Sequence, residues 1–78
     1  MGQRDKQELF RRIPKVDRVL MSSELQDASL RYPRSLIARG VSQVLDGMRA
    51  KIESGEDLSE EELALGSVCN RVIEVLKS

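Results

Sequence analysis

A small all-α bundle is the fold class this sequence predicts, and three observations predict it. Residues 34–53 carry apolar side chains at helical spacing along their whole length. Residues 58–63 carry a helix-start signature. The two prolines, Pro14 and Pro33, fall where one periodic segment gives way to the next. Helix is the only strong periodicity, and neither a repeat nor a low-complexity segment interrupts it. The expected bundle has about four helices, two short N-terminal ones and two longer antiparallel ones. All 78 residues belong to one domain, whose core supplies only roughly 3–5 kcal/mol. Phe10 and Tyr32 are the only aromatic residues, so that core must be aliphatic.

The first helix is expected over about Asp5–Arg12, with Leu9, Phe10 and Ile13 on one face. Pro14 then forms a corner. It has no N–H to donate, it biases Ile13 toward extended geometry, and it suits the first position of a new helix. The second helix covers about Lys15–Met21. Val16, Val19 and Leu20 share a face, and Asp17 sits in the first turn, where the helix dipole favours an acid. Ser22–Pro33 reads as a loop with room for one short turn after Ser23, anchored by Leu25, Leu30 and Tyr32.

The third helix runs over about Arg34–Glu53. Ile37, Val41, Val44, Leu45, Met48 and Ile52 form one continuous stripe. Gly40 and Gly47 lie at or near its edge, each costing about 1 kcal/mol relative to alanine. They mark either a close approach of another backbone or simple tolerance. Gly55 in "ESGED" is the left-handed cap that ends this helix. Ser59 and Glu62 then form a capping box, flanked by Leu58 and Leu63 as a hydrophobic staple. The fourth helix reaches about Leu76, with Leu65, Val68, Cys69, Val72, Ile73 and Leu76 as its stripe. It nears the last residue without a stop signal, as expected of a helix that frays or of a piece of a longer chain. The short connection makes the third and fourth helices antiparallel, and the first two cover the open side of that pair.

The composition excludes most chemistry. Without histidine there is no imidazole base and no histidine metal ligand, and one cysteine cannot make an internal disulfide. Cys69 falls on an apolar helix face and reads as a core thiol. Glu60–Glu62 reads as a helix first turn rather than a carboxylate pair, and Gly40 and Gly47 do not make a phosphate loop. No apolar run approaches the roughly 18 residues of a membrane span. These features predict a soluble, cytoplasmic chain without a metal or catalytic centre of its own.

Charge is the remaining signal. The net charge is zero, but residues 1–39 hold nine bases against five acids, a net +4, and residues 40–78 hold a net −4. Arg11, Arg12, Lys15 and Arg18 surround the Pro14 corner in "LFRRIPKVDRVL", and Arg31, Arg34 and Arg39 surround the start of the third helix. If the two groups meet, they form one basic patch suited to phosphates, because the guanidinium fork donates two parallel hydrogen bonds. The bland alternative is a solvated helix face. With so few aromatics to stack unpaired bases, shape and backbone recognition of a folded RNA fits better than single-strand reading.

The same residues carry a resemblance. "LFRRIPKVDRVL", a loop closing in "YPR", and a long helix with "LDGMRAKI" resemble the N-terminal domain of bacterial selenocysteine synthase, over most of residues 8–53. The matching features are an aromatic or leucine pair, Ile13-Pro14, Asp17-Arg18, an apolar pair, then Leu45-Asp46 and Arg49. Pro33 departs from the pattern, since a glycine often follows the tyrosine. The resemblance implies a tRNA(Sec)-binding domain, with Arg11, Arg12, Lys15, Arg18, Arg31, Arg34 and Arg39 as candidate RNA contacts. It implies a parent enzyme that is a pyridoxal phosphate-dependent selenium transferase and a homo-oligomeric decamer. The catalytic domain, with its cofactor lysine, would lie outside this chain. Two other readings remain: a protein-docking helical bundle, and a helix-turn-helix. The second suffers from about ten loop residues where a turn of 3–4 is expected.

Overall fold

The computed structural model describes residues 5–78, so Arg4, counted above in the basic half, lies outside the described residues. Six helical segments follow in order: α1 (Lys6–Arg12), α2 (Val16–Leu20), α3 (Ser23–Ser29), α4 (Arg34–Glu53), α5 (Glu60–Leu63) and α6 (Leu65–Lys77). No strand occurs among the described residues. The all-α bundle predicted from the sequence is the fold.

α4 is the axis. Its 20 residues span about 30 Å, and α1, α2, α3 and α6 all pack against it. The predicted stripe is its buried face: Ile37, Val41, Val44, Leu45, Met48 and Ile52 are all buried. Val68, Cys69 and Val72 of α6 meet this face with no exposed surface. The two helices are antiparallel. Gly40 near the start of α4 faces Val72 and Leu76 near the end of α6, whereas Gly47 and Lys51 share a shallow recess with Arg71 and Glu74. Ile73 lies at the stripe's edge and is half-buried, short of the full burial its spacing suggested.

The caps explain the ends. Ile13 is extended (φ −65°, ψ 126°), as a residue before proline should be. Pro14 precedes the Lys15 N-cap of α2 and so stands outside the helix instead of opening it. Gly55 adopts φ 95°. Its N–H donates to the Ile52 carbonyl and that of Glu56 to the Lys51 carbonyl, both at 3.0 Å, which is a Schellman closure. The Ser59 hydroxyl accepts from the Glu62 N–H at 3.1 Å, and the Glu62 carboxylate accepts from the Ser59 N–H at 2.9 Å. The capping box is complete, and Leu58 and Leu63 are both buried beside it.

Three elements differ from the sequence reading. Ser22–Pro33 is not a loop with one turn, because residues 23–29 form α3, which buries Leu25 and Ala28 three residues apart. Leu30 anchors nothing and is 85% exposed. The final helix is broken at Ala64, whose extended backbone (φ −65°, ψ 144°) ends α5 and starts α6; nothing in the local sequence marks that break. Gly40 and Gly47 are not sites of close backbone approach. A Cβ on Gly40 would meet side chains at 3.5 Å, and one on Gly47 would meet nothing within 4 Å.

Candidate nucleic-acid interface

The α1–α2 corner lies along α4 in the opposite direction. Lys6, at the start of α1, donates to the carbonyl of Glu53 at the end of α4 (3.2 Å). Leu20, at the end of α2, shares a recess with Arg34 and Ile37 at the start of α4. The outer side of the corner, together with α5 and the start of α6, forms an open groove. Arg11, Arg12, Lys15 and Arg18 line it, with Asp17, Met21, Leu63 and Leu65. The local cause is Pro14: it ends α1 and turns the chain, so cations on two short helices converge on one depression.

The seven predicted contacts do not form one continuous patch. Four line this groove. Arg34 lines the recess with Leu20, Leu25 and Gln26. Arg31 lines another, between Glu24, Asp27 and Lys77, where two carboxylates offset its charge. Arg39 is exposed and falls two residues beyond buried Ile37, on the outward side of α4.

The four groove cations also differ among themselves. The Arg12 guanidinium is paired twice, with Glu60 at 2.8 Å and with Glu8 at 3.6 Å. Arg11, Lys15 and Arg18 make no side-chain ion pair or hydrogen bond among the described residues. The Glu60 pairing joins positions 48 apart in the chain, which sequence spacing could not reveal. A sequence-level hint existed only for Glu8, at i,i+4 from Arg12. Glu62, two residues beyond Glu60, serves the fold: it closes the capping box and lies 3.9 Å from Arg71. Its carboxyl is held below its ordinary value chiefly by the Ser59 backbone N–H, and further by Arg71 and Lys51, against a partial desolvation that pushes it up.

No group of three or more metal-ligating side chains converges among the described residues. No described helix is long and apolar enough to cross a membrane. Cys69 is fully buried, a core thiol as its position on the apolar face predicted.

Residues 10–49 match the family described as selenocysteine synthase N terminal. Among curated proteins, the L-seryl-tRNA(Sec) selenium transferase of Carboxydothermus hydrogenoformans is 50% identical over 50 residues, covering 64% of this chain and 11% of that protein. The enzymes of the same name from Geobacter sulfurreducens and Geobacter metallireducens are each 41% identical over 64 residues, covering 82% of this chain and 14% of theirs. The chain thus spans about one-seventh or less of these relatives. No solved structure matches it significantly. The Pro14 corner, α2, α3 and α4 as far as Arg49 fall within the matched stretch, and the chain belongs to the selenocysteine synthase N-terminal family.

Proposed function

We propose that this chain is the tRNA(Sec)-recognition module of an L-seryl-tRNA(Sec) selenium transferase and so serves selenocysteine biosynthesis in the cytoplasm. The observation that carries the reading is the groove at the Pro14 corner, where Arg11, Lys15 and Arg18 stand without side-chain partners among the described residues. Such a groove grips a phosphate backbone and leaves selectivity to the shape of the folded RNA. Arg34, Arg39 and Arg31 add charge around it. Catalysis belongs to the remainder of a parent enzyme, and the residues described do not fit pyridoxal phosphate. Lys6 is engaged with the Glu53 carbonyl, and Lys15, Lys51 and Lys77 line open recesses. A homo-oligomeric parent, a decameric ring in this reading, would present many copies and strengthen a weak single contact.

Titration with a tRNA(Sec) transcript at low and moderate salt tests this. Arg11→Ala/Lys15→Ala should weaken binding and flatten the salt dependence by roughly 0.7–0.9 per lost phosphate contact. Arg49→Ala/Lys77→Ala, on the acidic half, should do much less. Equal losses in the two variants, or none in the first, defeat the reading. The second reading, a protein-docking bundle, is favoured by the exposure of Met21 (79%) and Leu30 (85%). It predicts that tRNA affinity is low and indifferent to both variants.

A further inference from the structure

Among the described residues, Arg12 is the one groove cation that already holds carboxylates. Glu60 Oε1 lies 2.8 Å from one terminal nitrogen, and Glu8 Oε1 lies 3.6 Å from the other. A carboxylate and a phosphate use the same face of the guanidinium fork. An incoming polyanion therefore meets Arg12 with its charge already answered. The pair is solvent-exposed, with the Arg12 side chain 43% and that of Glu60 72% accessible, and exposed pairs are weak enough to exchange. Glu60 also sits on the shortest helix, four residues long, which packs mainly on α6.

We propose that Glu60 regulates the groove as an internal competitor for phosphate: it occupies Arg12 in the free domain and gives way when a polyanion enters. The proposal rests on the groove being a polyanion site, and it adds what tunes that site. Arg11, Lys15 and Arg18 supply the standing attraction. Arg12 joins only for a ligand whose phosphate can outcompete Glu60, so weak or poorly placed polyanions gain one contact fewer. Glu60 thereby trades affinity for discrimination.

The test compares Glu60→Gln with Glu61→Gln, which removes the same charge from an exposed neighbour that makes no ion pair among the described residues. The probes are a tRNA(Sec) transcript and inorganic polyphosphate, each titrated over a range of salt. Glu60→Gln should bind both probes about two- to fivefold tighter, because Arg12 no longer has to be released from a carboxylate. Glu61→Gln should keep the wild-type affinity, and Arg12→Gln/Glu60→Gln should lose the gain. Glu60→Asp, which keeps the charge but draws the carboxylate back, should tighten binding too and serves if the glutamine variant loses helicity. Equal effects of the Glu60 and Glu61 variants, an unchanged affinity, or a gain that survives loss of Arg12 each overturn the proposal. If tRNA fails to bind while polyphosphate shows the Glu60 pattern, the tRNA reading falls and the competitor stands. If neither probe binds, both fall.

Discussion

The Ser22 hydroxyl oxygen lies 3.1 Å from the Cys69 sulfur, while the hydroxyl itself donates to the Val19 carbonyl at 2.7 Å. With its proton committed there, the hydroxyl oxygen is left to accept from the thiol. Ser22 is the only buried polar side chain among the described residues, and this arrangement satisfies it inside an aliphatic core. It also fastens the α2–α3 junction to the middle of α6.

Ser22→Ala should therefore destabilise the domain by about 1 kcal/mol, since the Val19 carbonyl keeps the Ser22 backbone N–H (3.1 Å) but the thiol loses its acceptor. Urea unfolding measures the loss. Because Cys69 is fully buried, its alkylation requires opening, and the labelling rate should rise about fivefold in step. A rate that does not follow the stability change would place the thiol near a local opening instead.

Gly40, Gly47 and Gly55 should separate. Gly47→Ala should stabilise by about 0.5–1 kcal/mol, because a Cβ there enters open space on a helix. Gly40→Ala should be near neutral or stabilising, its Cβ meeting Val72 and Leu76 at ordinary contact distance. Gly55→Ala should destabilise by about 1–2 kcal/mol, since φ 95° suits no Cβ. Thermal melts of the three variants check the order.

The capping box makes a pH prediction. The folded carboxyl of Glu62 titrates below its ordinary value of 4.5. Its contribution is thus present above that value and is lost as pH falls through the lower folded value. Glu62→Gln should lower stability at pH 7 and flatten the acid limb of the stability–pH curve. Ser59→Ala should cost about 0.5–2 kcal/mol yet leave most of the lowering of the Glu62 carboxyl in place, because the backbone N–H that chiefly causes it remains; carboxyl NMR shifts would follow both.

Met48 is 1% exposed at the centre of the α4 stripe. Met48→Ala should cost about 2–5 kcal/mol, comparable to the roughly 3–5 kcal/mol a core of this size supplies. The expected result is loss of the cooperative melting transition at moderate temperature. Met48→Leu, close in volume, should retain it.

The sequence made α4 legible because twenty residues of one periodicity leave little choice, and the Ser59/Glu62 box and Gly55 because caps are local chemistry. α3 was hidden by its polar composition: Leu25 and Ala28 are its only buried side chains, too few to show a period. The Ala64 break has no local signature, so only packing could reveal it. The cations of the groove were readable as a cluster around Pro14. Their inequality was not, since Glu60 reaches Arg12 across 48 positions, and Arg31, Arg34 and Arg39 are separated by helix orientations that spacing alone did not resolve.

Because α4 is shared by α1, α2, α3 and α6, its central amides have no private route to solvent. Deuterium should reach Val44, Leu45 and Met48 only when the whole domain opens, at the rate set by global stability. The four-residue α5, leaning mainly on α6, can open alone. Its amides should exchange well before those of α4, with the carboxylate of Glu60 on the fast element.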